Sequence, residues 1–169
     1  MRTLFDDLIE VQAPAASRDA QRAAPVSKRL PPDYYEHMAR TMLARFGVRV
    51  RKWRSSTSGV AWQLTDTHGN VARLIESPRP RGPMSAAVFL HEIGHHAIGF
   101  DRYKLRCVEE YHAWMYSLEQ MRRWAIPVTE SVDHRVYDCL HYALVKAKKR
   151  GMRTVPAELV PYARYRRER

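Results

Sequence analysis

The chain has 169 residues, enough for one domain with tails and too few for two sizeable cores, which excludes a large multidomain enzyme. Hydrophobic residues at 45% and charged residues at 28% lie near the globular average, so the chain can bury a core. Lys and Arg number 29 against 18 Asp and Glu, and the resulting net charge of +11 points to an acidic partner without specifying a fold.

The chain opens MRTLFDDLIEVQ, which places Asp6, Asp7 and Glu10 where a secretory signal needs an uninterrupted apolar run. The expectation is a cytoplasmic protein in which the two cysteines, Cys107 and Cys139, stay as buried thiols. No apolar stretch approaches the roughly 18 residues of a membrane helix, since Met84 to Leu90 runs straight into His91 and Glu92. Leu4, Phe5, Leu8, Ile9 and Val11 suit one or two amphipathic turns folded back on the body, with a docking peptide as the alternative. Ala13 to Pro32 is rich in Ala, Pro, Arg, Ser and Gln and reads as a linker, so residues 1–32 form an N-terminal segment outside the core.

An ordered domain is expected over residues 33–152. Asp33 is placed to cap a helix running to Phe46, which Gly47 stops. Three short β-rich runs follow, Val48 to Arg54, Val60 to Thr65 and Val71 to Glu76, the last two joined by the hairpin signal Asp66-Thr67-His68-Gly69-Asn70. A small antiparallel sheet is expected. After the breaker-rich stretch Ser77 to Pro83 come three helical segments, about Ser85 to Ile98, Leu105 to Ala125 and Glu130 to Arg150. Helix, sheet, then helices reads as α+β, and residues 153–169 read as a basic C-terminal tail.

The chemistry centres on His91-Glu92-Ile93-Gly94-His95. Residues four apart share a helix face, so both imidazoles can reach one ion while Glu92 lies beside them as a base. By chance such a motif arises in about one in fifty chains of this His and Glu content, so its context has to carry the reading. A catalytic zinc usually takes three protein ligands and leaves a position for water, which requires a third ligand downstream. The next helix supplies Glu109 and Glu110. Glu110 is favoured, because it shares a face with Ala113, Trp114, Ser117 and Met121, whereas Glu109 falls nearer Arg106, Tyr116 and Arg123. His134, Tyr137 and His141 recur on one face of the last helix. His134 and Tyr137 are candidate donors to a reacting oxyanion, against the alternative of amphipathic residues with hydrated tips.

This layout resembles the small gluzincin metallopeptidases, most closely those of the ImmA/IrrE type found in bacteria and on mobile elements. The matching residues are His91, Glu92 and His95, then Glu110-Tyr-His-Ala113 with Trp114, Tyr116 and Ser117, and the resemblance spans about Val48 to Arg123. It implies zinc on His91, His95 and Glu110 with Glu92 as general base, and it strengthens the choice of Glu110. His112 departs from the acidic residue or Gln that often precedes the Ala in such proteins. The implied activity is hydrolysis of peptide bonds in a specific protein target, with an extended peptide pairing to a sheet edge, for which Val71 to Glu76 is the candidate strand.

Basic residues cluster in two places. Arg49, Arg51, Lys52 and Arg54 lie with Trp53 and Trp62, and Lys148, Lys149 and Arg150 begin the basic C-terminal run, a composition compatible with nucleic-acid contact. The competing function is therefore a nucleic-acid-binding or protein-interaction module with a structural or inactive zinc site.

Overall fold

A computed structural model describes residues 30–164. The N-terminal amphipathic segment and nearly all of the linker lie outside the described residues. The first helix, α1, spans Pro32–Phe46 and ends where Gly47 adopts a left-handed conformation, φ 59°, that a side chain would disfavour. Its start differs from expectation: Pro32 occupies the first helical turn and Asp33 lies inside it, near the positive end of the helix dipole, without a capping bond. Strands β1 (Val48–Arg54), β2 (Val60–Thr65) and β3 (Val71–Pro78) follow.

β2 and β3 form the expected hairpin. Asp66 Oδ1 accepts the backbone N–H groups of His68 and Asn70, each at 2.8 Å, which fixes the turn. The sheet, however, is mixed. Its order is β1-β3-β2, and β1 runs parallel to β3 with a register shift between Val50 and Lys52. The candidate edge strand Val71 to Glu76 is thus the central strand, and β1 and β2 are the edges. Burial explains the order: Ile75, Glu76, Ser77 and Pro78 are buried, whereas β1 carries its Arg and Lys residues on an edge that charge protects from further pairing. Because β1 and β3 are parallel neighbours, residues 55–59 cross the end of β3 to reach β2.

Helix α2 (Pro83–Ile98) is buried over nearly its whole circumference, as expected of a helix enclosed on all sides. It packs on β3 and β2 and against α1, α3 (Arg106–Arg123) and α4 (Glu130–Lys149). Thr129 caps α4, its hydroxyl accepting the Val132 N–H at 3.4 Å. The architecture is α+β.

Residues 153–164 pack on this domain instead of trailing from it. A 3₁₀ helix, Ala157–Tyr162, inserts Leu159 into the core at 0% exposure. His141 Nδ1–H donates to Tyr162 O at 2.9 Å, and the Tyr137 and Tyr162 rings meet at 5.4 Å. The domain therefore continues past residue 152, because a buried leucine and aromatic contacts outweigh the local basic composition. Both cysteines are free thiols. Cys107 is buried against Met152 and Cys139 is half-buried.

Candidate metal centre

Two close approaches build the site. On α2, Gly94 faces α3 so tightly that a Cβ there would lie 2.8 Å from the Ala113 carbonyl oxygen. Two small residues thus let the helix backbones touch, and Ser117 Oγ donates to Ala87 O at 2.7 Å farther along the same contact. This brings the start of α3 against His91 and His95. His91 Nε2 lies 3.3 Å from His95 Nε2 and 3.3 Å from Glu110 Oε2, and His95 Nε2 lies 3.8 Å from Glu110 Oε1.

His91, His95 and Glu110 can hold a metal ion: one ligand atom from each falls within 4.8 Å of the others. Nitrogens about 2.0–2.1 Å from a tetrahedral ion stand about 3.3 Å apart, which is the separation of the two imidazole nitrogens here. Burial alone would raise Glu110, but the hydrogen bond and charge of His91, with His95 and Arg106, outweigh it and hold the carboxyl at about 2. An ionised carboxylate therefore faces two ring nitrogens in a largely dry site.

Each ligand is held from behind. His95 Nδ1–H donates to Glu109 Oε1 at 3.0 Å, which turns the Nε2 lone pair toward Glu110 and His91. His91 Nδ1 is buried with no hydrogen-bond partner among the described residues, and Trp114 orients this ring instead, stacking at 4.2 Å between centroids. Arg106 spans both carboxylates, donating from Nη1 to Glu109 Oε1 at 2.8 Å and from Nε to Glu110 Oε1 at 3.0 Å.

Glu109 corrects the face assignment made from helical angles. It is 4% exposed and approaches the His95 edge opposite the metal-facing nitrogen. Adjacent residues separated by about 100° can reach two sides of one imidazole. The doublet Glu109-Glu110, with Arg106 three and four residues earlier, was the available signal for the whole arrangement.

Glu92 lies beside these donors, buried to 4% exposure, with Gly59 against its carboxyl group. A Cβ on Gly59 would come within 2.3 Å of Glu92 Oε1. The start of edge strand β2 therefore borders this carboxylate. Desolvation raises Glu92 to about 7; His95, Arg106 and Arg54 pull it down and Glu110 pushes it up, but burial prevails. His96 serves the fold, its Nε2–H donating to Leu74 O at 3.2 Å, and burial lowers it to about 4, so it is neutral near pH 7.

The two candidate oxyanion donors have contacts on α4 and in the C-terminal segment. His134 faces Glu130 Oε1 at 3.9 Å, and the Tyr137 hydroxyl bonds to the carbonyls of Pro161 and Arg164 in the C-terminal segment. His112 stacks on Tyr103 at 4.4 Å. Among the basic candidates, Arg51 and Arg54 each pair with Glu76 at 3.0 Å. Arg49 and Lys52 are exposed on β1, and Lys148, Lys149 and Arg150 are exposed at the C-terminal end of α4, where they also complement its dipole.

Compared with known proteins, the chain matches no family model, no curated protein and no solved structure. Among the described residues, no helix is long and apolar enough to cross a membrane.

Proposed function

We propose that this chain is a zinc metallopeptidase of gluzincin type that cleaves a specific protein target in a reducing compartment. The observation that carries the proposal is a set of three protein donors, with no fourth among the described residues, and a buried carboxylate beside them. A structural zinc site is usually closed by four ligands, whereas a catalytic one leaves a place for water and needs a base near it. His91, His95 and Glu110 would hold the ion, which would supply an acidified water and a polarised substrate carbonyl.

Glu92 then takes the proton from the attacking water and returns it to the leaving amine. Its place beside the three donors suits a group that accepts a proton and then releases it. Gly59 leaves room for that carboxylate. The edge of β2 that no other described strand pairs with, and which begins next to Gly59, can pair with an extended peptide, so this strand replaces Val71 to Glu76 in the binding role. Glu109, Arg106 and Trp114 hold the ligands in place.

The alternative, a nucleic-acid or interaction module with a structural or inactive zinc site, rests on the exposed cations of β1 and α4. It loses Arg51 and Arg54 to their pairing with Glu76, and it leaves the buried Glu92 without a role. The discriminating experiment incubates zinc-loaded protein with a mixed peptide library and sequences the products. Cleavage is expected from the parent and lost in Glu92→Gln, with zinc content unchanged; equal cleavage by the variant would contradict the assigned base.

A further inference from the structure

A cleft of about 690 Å³ opens beside Glu110, within the size range of ligand pockets. One wall is the connection into α3, with Lys104, Leu105 and Arg106, and the other is a single stripe of α4. That stripe recurs at helical spacing: Cys139, then Tyr142 and Ala143, Lys146 and Ala147, and Arg150. Small side chains at 139, 143 and 147 leave the hollow, and Lys146 and Arg150 stand at its rim. From Cys139 to Arg150 the helix advances about 16 Å, the length of about five extended residues.

The charge of the cleft is one-sided. Lys104, Lys146 and Arg150 are exposed, and none forms an ion pair with a described residue, although Lys146 lies over the Tyr142 ring at 5.2 Å. Arg106 is engaged by Glu109 and Glu110. The carboxylate that lines the cleft, Glu110, belongs to the metal donors. The cleft therefore combines apolar walls with three exposed cations, and Glu110 in its lining connects it to the metal donors.

We propose that this cleft is a subsite for an acidic stretch of the peptide substrate, its carboxylates received by Lys104, Lys146 and Arg150. The proposal rests on the peptidase reading above, for which it names the substrate class. Carboxylates complement the three cations, and the apolar walls accommodate the methylenes that carry them.

The test uses acetylated, amidated decapeptides differing only in Glu, Gln or Lys at three central positions. They are titrated by fluorescence anisotropy into zinc-loaded Glu92→Gln protein, so binding is read without cleavage. The Glu peptide should bind about tenfold tighter than the Gln peptide, with the Lys peptide weakest. Lys146→Glu/Arg150→Glu should reverse that order, and the milder Lys146→Gln/Arg150→Gln should abolish the preference if the reversed protein does not fold. Equal binding of Glu and Gln peptides, or an order unchanged by both variants, overturns the subsite. Tighter binding of a single-stranded oligonucleotide than of the Glu peptide, lost in the same variants, also overturns it in favour of phosphate. Parent protein is assayed in parallel. Cleavage without acidic preference removes the subsite and leaves the peptidase standing; acidic preference in binding without cleavage of any peptide keeps the subsite and removes the peptidase.

Discussion

Glu92 carries a stability cost that comes from burying its carboxyl group. Its ordinary value is 4.5, and burial in the fold raises it to about 7. Between those values the folded protein binds the extra proton, so the metal-free protein loses stability as pH rises through that window, by up to about 3 kcal/mol. Glu110 has the opposite sign. Held at about 2, it contributes stability above 4.5 that is lost as pH falls toward 2. Urea denaturation of chelated protein should therefore show Glu92→Gln gaining on the parent from about pH 4.5 to 7 and levelling off above; a constant gap would contradict the burial argument. His91 and His95 were legible because four-residue spacing fixes a helix face, and Glu110 was picked out from the Glu109-Glu110 doublet with the help of the family resemblance, since both carboxylates turn toward the imidazoles. Glu109, Arg106 and Gly59 were not, because their roles depend on how α3 and the turn before β2 lie against α2.

At the level of elements, the helices and strands were readable from breakers and periodicity, whereas their pairing was not. The Asp66 turn announces the β2–β3 hairpin through local hydrogen bonds. Nothing local announces that β1 lies parallel to β3, because that neighbour is chosen by which strand buries Ile75 against α2. The contact between α2 and α3 is the element-scale feature on which the metal centre depends. Gly94→Ala would press a methyl into the Ala113 carbonyl and should cost about 1–3 kcal/mol. Moving α3 outward also draws Glu110 from His91, so zinc affinity should fall together with the melting temperature. A variant with both properties unchanged would show that the helices do not need this close approach.

Across the whole molecule, charge misled where burial decided. Lys146 to Arg169 holds nine basic residues and two acids, yet the stretch includes Leu159 at 0% exposure, and one leucine in a core outweighs several solvated charges. Leu159→Ala should destabilise the protein by about 2–5 kcal/mol in urea denaturation; an unchanged midpoint would mean that the C-terminal segment is not part of the cooperative unit. The same segment engages Tyr137, whose hydroxyl donates to the Pro161 carbonyl. The charges at the end of α4 then become the rim of a cleft that Glu110 also lines.

All of these levels meet in two imidazoles of α2 and one carboxylate of α3 that can hold one metal ion. The most direct measurement is zinc content and affinity after exhaustive dialysis, for the parent, His91→Ala, Glu110→Ala and Glu92→Gln. About one zinc per chain is expected in the parent and in Glu92→Gln, with near-complete loss in His91→Ala and Glu110→Ala. Full, equally tight zinc in either ligand variant, or none in the parent, would contradict the assignment.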